Sequence, residues 1–383
     1  MNIENRKTIT NQEHSQISFL PWAGLREELR IGPIIFWPFS KAKCKIHNER
    51  MLNHLTKYFR SYVDHQSNPV DTITICSHKN IDFRILYNEE YNDLRNAVNV
   101  LIFCIIAPQT KIAVCANNNS MGPPSAEVFQ LITQNFKPGD DHIAVRAGSV
   151  LSGEWKIGEI NFPKPWSTGG NFGTPDTELI KSFNKVFDST FPQDTRERLF
   201  RSLEWFRLAH VEDDEVSPLS KIVMMATAFE ILLQFPRKNK RKYFVDYMEK
   251  NIASDNFNKD NRATDKGKTF QLSLAGCWAW DFYELRSSIV HGDHVDPKQF
   301  KYKAPDRNWL THLIVADLIF WECVKRELFN QKCIGDDVRK CAKEWDKVFP
   351  NEPEETPEKP LVNWFLGFND VHKALGWLKE KDK

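Results

Sequence analysis

Hydrophobic residues in the first 160 positions are grouped in short runs that predict β-strands. These runs are rich in β-branched and aromatic residues, and they cover residues 31–37, 72–76, 81–87, 98–106 and 111–116. Pro33 and Pro38 bracket the first run, which favours an edge position in a sheet. Residues 48–63 show helical spacing instead. This half of the chain therefore predicts a mixed fold that is rich in strands.

From about residue 178 onward, the apolar positions recur at helical spacing. The predicted helices cover residues 195–208, 217–235, 240–252, 278–291, a segment that begins after Asp306, and 337–348. Ser217 is a natural N-cap, and Pro218 suits the first helical position. Gly292 can adopt the left-handed conformation that ends a helix. The fold class expected for the whole chain is α+β, with a mixed N-terminal part followed by an all-α bundle.

Two proline-rich segments suggest how the chain is divided. Residues 162–176, FPKPWSTGGNFGTPD, and residues 350–360, PNEPEETPEKP, have the composition of loops or linkers. The expected organisation is a mixed α/β domain over 1–161, a Pro/Gly linker over 162–177, a helical bundle over 178–349, and a Pro/Glu linker with a terminal helix over 350–383.

The overall composition and charge give no sign of a general attraction to nucleic acid or to a membrane. The chain has 383 residues, 41% hydrophobic and 27% charged, with a formal net charge of +1. Attraction to nucleic acid or to a membrane would therefore need a local patch of charge. The longest apolar run, residues 97–107, is too short to cross a bilayer as a helix, and it fits a buried strand or a core helix. No membrane segment and no secretory signal are expected.

The eight cysteines give no sign of a metal site. They form no CxxC pair, and no cysteine–histidine cluster has the spacing of zinc ligands. Several of them lie inside apolar runs, where a free cysteine behaves as a small hydrophobic residue. We therefore expect no metal and no cofactor, and a reducing cytoplasm as the location.

An acidic residue falls on the apolar stripe of the helix predicted over 217–235. The stripe consists of Leu219, Ile222, Val223, Ala226 and Leu233, and its missing position is occupied by Glu230. Burying an unpaired carboxylate costs several kcal/mol. Arg286 flanks the stripe of helix 278–291, so we expect it to reach Glu230. The alternative interpretations are a purely structural ion pair, or an apolar stripe whose true position differs slightly from the predicted one.

Arg286 and His291 are a candidate catalytic pair. Five residues apart on an ideal helix, they point about 140° away from each other. They converge only if the last turn loosens, which Gly292 would allow. The chain has three Arg/His pairs of this spacing, a number that is compatible with chance: Arg60/His65, Arg286/His291 and Arg307/His312. Spacing alone therefore does not choose among them.

Sequence context favours the second pair. The segment YELRSSIVHG (283–292), preceded about fifty residues earlier by ATAFEILL (226–233), resembles the Apea-like branch of the HEPN superfamily. The resemblance covers roughly residues 195–330. It implies a bundle of four or five helices that usually dimerises, and in many members a metal-independent endoribonuclease. The family's R-x4–6-H residues fall on Arg286 and His291, and Ser287 stands where nuclease members often have Asn, Asp or His.

The resemblance implies cleavage of RNA by its own 2′-OH. Histidine would move the proton, and arginine would stabilise charge on the phosphate. The catalytic candidates are Arg286, His291, Glu230 and Ser287. The candidates for substrate binding are Arg237, Lys238, Lys240, Arg241, Tyr283 and His294. The basic run 237–242 also fits a solvated helix start, and His294 also fits a polar loop.

Partners and biological role follow from the resemblance alone. The expected partners are RNA, including tRNA, a second copy of the chain in a homodimer or larger even oligomer, and a trigger or phage protein at the N-terminal domain. The implied role is bacterial phage defence by abortive infection. The alternative is a non-catalytic HEPN module that dimerises and binds a partner, with Arg286 and Glu230 as a structural pair.

Overall fold

The computed structural model describes residues 15–115, 125–147, 150–165, 175–211, 216–252, 260–263, 269–300 and 312–334. The chain divides into two compact units. Unit 1 comprises Met1–Leu101 and Glu127–Ser167, and unit 2 comprises Ile102–Ala126 and Thr168–Lys383. Within the described parts of the chain, no helix combines the length and the apolar character needed to cross a bilayer. The predicted helix over 337–348 and all of residues 350–383 lie outside the described residues.

Unit 1 is built on an antiparallel five-stranded sheet with strand order β2-β3-β5-β1-β6. The short strands β4 and β9 pair in parallel, and β7 and β8 form a separate hairpin. The strands are β1 (Ser15–Leu20), β2 (Leu29–Ile31), β3 (Ile34–Pro38), β4 (Tyr62–Val63), β5 (Thr74–His78), β6 (Ile132–Phe136), β7 (His142–Ala147), β8 (Val150–Lys156) and β9 (Phe162–Pro163).

The helices of unit 1 are α1 (Phe39–Ala42), α2 (Glu49–Phe59) and the first half of α3 (Asn88–Cys115). The Asn48 side chain caps α2 by accepting a hydrogen bond from the Met51 N–H. Aromatic residues fill the space between α2 and the sheet. The Phe19 ring lies 5.9 Å from that of Tyr58 and 4.9 Å from that of Phe59, centroid to centroid.

Several sequence predictions for unit 1 are corrected. Residues 98–106 and 111–115 belong to helix α3 rather than to two strands, and 81–87 form no strand. A continuous apolar run fits either a buried strand or a buried helix, so periodicity could not decide here. Residues 31–37 form parts of β2 and β3, separated by a turn at Gly32 (φ 57°). Of these two strands, β2 lies at an edge of the sheet and β3 lies inside it.

Unit 2 is mainly helical, as predicted, and also contains a small hairpin. Its elements are the second half of α3, α4 (Thr177–Val186), α5 (Gln193–Ala209), α6 (Pro218–Leu232), α7 (Lys240–Asn251), β10 (Asp260–Ala263), β11 (Thr269–Leu272), α8 (Leu274–His291) and α9 (His312–Asn330). The hairpin of β10 and β11 means that the second half is not all-α.

The predicted caps of α6 and α8 are confirmed. The Ser217 Oγ accepts a hydrogen bond from the Ser220 N–H, and Pro218 occupies the first turn. Gly292 ends α8 in the left-handed conformation, with φ at 78°. The start of α8 lies four residues before the predicted one, because Ser273 caps it by accepting from the Gly276 N–H. These caps fix where the two helices begin and end around the candidate site.

Aromatic side chains form the core of unit 2 and hold α6, α7 and α8 together. The Phe229 ring of α6 lies 4.9 Å from the Phe244 ring of α7 and 6.2 Å from both the Trp278 and Phe282 rings of α8. Trp278 and Phe282 stack at 5.0 Å. The predicted packing of the 217–235 and 278–291 helices against each other is therefore confirmed.

Candidate functional site

Glu230 lies at the edge of the buried face of α6. The fully buried residues of this helix are Ile222, Met225, Ala226, Ala228, Phe229 and Leu232. Leu219, which the sequence pattern placed on the stripe, is 38% exposed. The buried face is therefore rotated slightly from the predicted stripe. The Glu230 side chain is nevertheless only 13% exposed, so its carboxylate needs partners.

Three donors from two helices surround the Glu230 carboxylate. The Tyr283 hydroxyl donates to Oε1 over 2.6 Å, and the Arg286 Nη2 lies 3.0 Å from the same oxygen. The Lys240 ammonium binds Oε2. The contact expected between Glu230 and Arg286 is thus present. Two cations on one carboxylate leave this cluster with a net positive charge.

Tyr283 is held neutral within this cluster. Burial raises the pKa of Tyr283, and the hydrogen bond to Glu230 together with the carboxylate's charge raises it further. The Arg286 guanidinium carbon lies 5.4 Å from the centre of the Tyr283 ring. The Tyr283 hydroxyl therefore donates a hydrogen bond to Glu230, and its ring lies against the Arg286 guanidinium.

Arg286 pairs with Glu230 through Nη2, whereas its Nε has no hydrogen-bond acceptor among the described residues. Its side chain is 20% exposed. The Nε atom is buried and has no hydrogen-bond partner among the described residues. A buried N–H without an acceptor costs about 1–3 kcal/mol. Because this N–H is buried, it adds a cost to the cluster and is not exposed to a ligand from solvent.

His291 is not part of the Glu230 cluster. It is exposed and is the last residue of α8, which remains an α-helix up to that residue. The loosened last turn that would bring Arg286 and His291 together is absent, so the two side chains leave the helix about 140° apart. His291 follows Glu284 and Ser287 at helical spacings of seven and four residues. These three residues therefore share one face of α8.

A cleft of about 700 Å³, lined by both apolar and charged side chains, lies between the start of α7 and this face of α8. Its lining residues are Asn239, Lys240, Arg241, Lys242, Val245, Asp246, Leu272, Trp280, Tyr283, Glu284, Ser287 and Ser288. Four predicted site residues, Lys240, Arg241, Tyr283 and Ser287, thus come together here. His291 lies one helical turn beyond Ser287 on the same face.

Other predicted residues lie outside the cleft. Arg237 and Lys238 are exposed in the turn before α7 and do not line it. His294 is exposed in the segment after α8 and does not line it either. Trp280 and Glu284 also line the cleft but are not predicted from the sequence, because their position opposite α7 depends on how the two helices pack. Their only signal in the sequence was their spacing from Ser287.

The start of α7 is unusually basic. Asn239, with φ at 58°, precedes the helix without a side-chain cap, and the first turn holds no acidic residue. Lys240, Arg241 and Lys242 therefore stand beside the positive end of the helix dipole, where cations are unfavourable and anions are stabilised. The positive helix end and three cations favour binding of a phosphate, although Lys240 and Arg241 are already paired with Glu230 and Glu284.

The competing Arg/His pairs differ from Arg286/His291 in their surroundings. Arg307 lies outside the described residues. His312 is 3% exposed, and burial lowers its pKa to about 3, so this imidazole stays neutral. Arg60 and His65 are both exposed in unit 1, beyond the end of α2. His312 is therefore unsuited to move protons at neutral pH.

No protein-family model, curated protein or solved structure matches the chain. Among the residues that the structure describes, no group of three or more His, Cys, Asp or Glu side chains could hold a metal ion. The function must therefore be argued from the cleft and from the residues around it.

Proposed function

We propose that unit 2 is a metal-independent endoribonuclease of the HEPN type that cuts RNA by attack of the 2′-OH. The observation that carries this proposal is the cleft between α7 and α8. Three basic side chains and an uncapped helix start face it, and His291 follows on the same helix face. RNA supplies its own nucleophile, so the protein has to bind phosphate, move protons and stabilise charge.

Each residue has a role in this proposal. Lys240, Arg241 and Lys242 hold the backbone phosphates by charge. His291 takes the 2′-OH proton or donates one to the leaving 5′-oxygen. Arg286 stabilises the charge that develops on the phosphate. Glu230 and Tyr283 orient Arg286, and Ser287 donates a hydrogen bond within the cleft.

Because Arg286 and His291 diverge on α8, the proposal includes a dimeric active form. One phosphate cannot meet both side chains of a single chain while α8 remains regular. A two-fold axis would bring Arg286 of one copy beside His291 of another. The proposed active form is therefore a homodimer or a larger even oligomer.

The biological role is proposed from the resemblance of the two motifs. It is the cleavage of tRNA or another host RNA in the bacterial cytoplasm during phage infection. Unit 1 would bind the trigger, a phage protein or another signal.

A second candidate function is a non-catalytic module that dimerises and binds a partner. The ion pair between Arg286 and Glu230 favours it, because a guanidinium that is already paired is less available to a phosphate. In this alternative, the cluster stabilises the bundle and the cleft binds without cutting.

The test is cleavage of 5′-labelled RNA, including a tRNA pool, by the purified full-length protein. Cutting should persist in EDTA, leave 2′,3′-cyclic phosphate ends, and fail on substrate with 2′-deoxyribose. His291→Ala and Arg286→Ala should each lower the rate by about 10²–10⁴-fold. The double variant Arg60→Ala/His65→Ala is the matched control, since it removes an exposed pair of the same spacing and should cut normally.

The outcomes separate the two functions. Cleavage that stops in EDTA, or that survives loss of the 2′-OH, would overturn the proposed chemistry. Normal cleavage by both α8 variants would overturn the assignment of the site. RNA binding without any cleavage would support the binding module instead.

A further inference from the structure

One end of the cleft carries a flat aromatic surface beside a carboxylate. The Arg241 guanidinium carbon lies 3.9 Å from the centre of the Trp280 ring, so the two groups stack. The Glu284 carboxylate stands next to them, with Oε1 3.5 Å from the Arg241 Nη1, and its side chain is 54% exposed. Lys240 and Tyr283 of the Glu230 cluster line the same cleft, but the contacts of this group involve other side chains.

A carboxylate is an unexpected neighbour for an RNA backbone, because it repels phosphate. It suits a base instead, since it only accepts hydrogen bonds and nucleobase edges carry N–H donors. Unpaired bases are commonly bound by stacking on aromatic rings or guanidinium planes while their edges are read by polar groups. Here the Trp280–Arg241 pair provides the stacking surface, and Glu284 provides the polar group that reads the base edge.

The donor pattern of the bases discriminates among them. The Watson–Crick edge of guanine presents N1–H and N2–H side by side, which match the two oxygens of a carboxylate. Adenine and cytosine each present one amino group beside an acceptor. The N3–H of uracil lies between two carbonyl oxygens, which a carboxylate repels. A base that donates two parallel hydrogen bonds is therefore favoured over the other three.

We propose that Glu284, with the Trp280–Arg241 stack, selects an unpaired guanine in the single-stranded RNA bound by the cleft. This inference rests on the proposed function, because it assumes that the α7–α8 cleft holds RNA. Glu284 and His291 share a face of α8 and lie about 10 Å apart along its axis. The selected base and the cut bond would therefore belong to neighbouring nucleotides.

Asp246 provides a matched control for Glu284. It is an exposed carboxylate of α7 that lines the same cleft. Replacing either residue by its amide removes one negative charge from the cleft. Only Glu284 forms an ion pair with the arginine that stacks on Trp280. A general effect of charge would therefore appear in both variants, whereas base selection should depend on Glu284 alone.

The experiment measures binding of heptamers that cannot be cut. Labelled 2′-O-methyl oligonucleotides, with uridine at six positions and G, A, C or U at the centre, are titrated with the full-length protein by fluorescence anisotropy. We expect the guanine heptamer to bind about tenfold more tightly than the uridine heptamer, as one bidentate base contact gives. Glu284→Gln should reduce this preference to about twofold or less, and Asp246→Asn should retain it. Trp280→Ala should weaken the binding of all four.

Each result has a defined meaning. Equal binding of all four heptamers by the wild-type protein would overturn guanine selection while leaving the nuclease proposal intact. Retention of the preference by Glu284→Gln, with circular dichroism showing a folded protein, would overturn the assignment to Glu284. If no heptamer binds, the cleft does not hold RNA, and both this inference and the proposed function fail. The heptamers lack a free 2′-OH and cannot be cut by the proposed mechanism. The measured preference therefore reports base selection in binding, independently of cleavage.

Discussion

The Glu230 carboxylate of α6 contacts one side chain of α7 and two side chains of α8, and so links the three helices. It accepts from the Tyr283 hydroxyl and pairs with both Arg286 and Lys240. Removing one partner of a mostly buried ion pair leaves the others with uncompensated charge. The cost is reduced here because Arg286 and Lys240 are 20% and 31% exposed.

Glu230→Ala should therefore lower the free energy of unfolding by about 2 kcal/mol, and Tyr283→Phe by about 1 kcal/mol. Urea unfolding of both variants measures this. Glu284→Ala is the control, because its exposed ion pair should contribute less than about 1 kcal/mol. Equal stability of Glu230→Ala and the wild type would show that the cluster does not hold the three helices together.

A second buried charge pair lies in unit 2, away from the cleft residues. The His210 Nδ1 is 2.7 Å from the Phe206 carbonyl oxygen, and Nε2 is 3.0 Å from the Asp317 Oδ2. Both ring nitrogens face acceptors, which requires an imidazolium carrying two protons. Burial lowers the pKa of His210, but the charge and hydrogen bond of Asp317 outweigh it and raise the pKa above its ordinary value.

This raised pKa gives a pH dependence with a definite sign. The pair contributes fully below the unfolded histidine pKa of about 6.5, and the contribution is lost as pH rises through the higher folded pKa. We expect the difference in Tm between wild type and His210→Gln to be largest below about pH 6.5 and to shrink as the pH rises above that value. Thermal unfolding at several pH values tests it. A difference that stays constant with pH would contradict a charged His210.

The residues of the Glu230 cluster could be found from the sequence because each lies on or beside an apolar stripe. Glu230 interrupts one stripe and Arg286 flanks another, and two helices that bury their stripes together must bring these charges close. Trp280 and Glu284 gave no such signal. Their importance comes from α7 packing across α8, and nothing in local spacing specifies which face of α8 the basic start of α7 would meet.

At the scale of elements, the helical half was more predictable than the strand-containing half. Helices α5 to α8 are predicted by apolar positions at helical spacing, and Ser217 and Gly292 mark the start of α6 and the end of α8. Helix α3 is apolar on all sides over residues 97–107, and this removes the periodicity that distinguishes a helix from a strand. The same ambiguity produced the wrong strand prediction over 98–106.

The start of α7 should determine how strongly RNA binding depends on salt. Arg241→Gln/Lys242→Gln removes two cations that line the cleft, and Arg237→Gln/Lys238→Gln removes two from the exposed turn before it. We expect the first pair to reduce the slope of log K against log salt by about 1.4 on single-stranded RNA, and the second by much less. Anisotropy titrations at several salt concentrations measure both. Equal reductions would mean that the whole basic run, rather than the cleft, binds the backbone.

At the scale of the whole molecule, the net charge of +1 provides no general attraction to RNA. The proposed function therefore needs RNA binding by the local arrangement in unit 2, and it needs Arg286 and His291 to act together despite their divergence on α8. If two copies meet about a two-fold axis, each site would take its arginine from one copy and its histidine from the other. Light scattering at micromolar concentration should then find a dimer or larger even oligomer without RNA.

Mixing the two inactive variants tests this composite site directly. In a dimer of one Arg286→Ala chain and one His291→Ala chain, one of the two composite sites retains both residues. After random exchange of subunits in an equal mixture, about half of the dimers contain one chain of each variant. Since one of the two sites in each mixed dimer is intact, the mixture should recover about a quarter of wild-type cleavage. Each variant alone should remain inactive, and mixing either with the Arg286→Ala/His291→Ala double variant should restore nothing. If Arg286 and His291 of the same chain act together, the mixture of single variants recovers no activity, and the composite site is wrong even where light scattering finds a dimer.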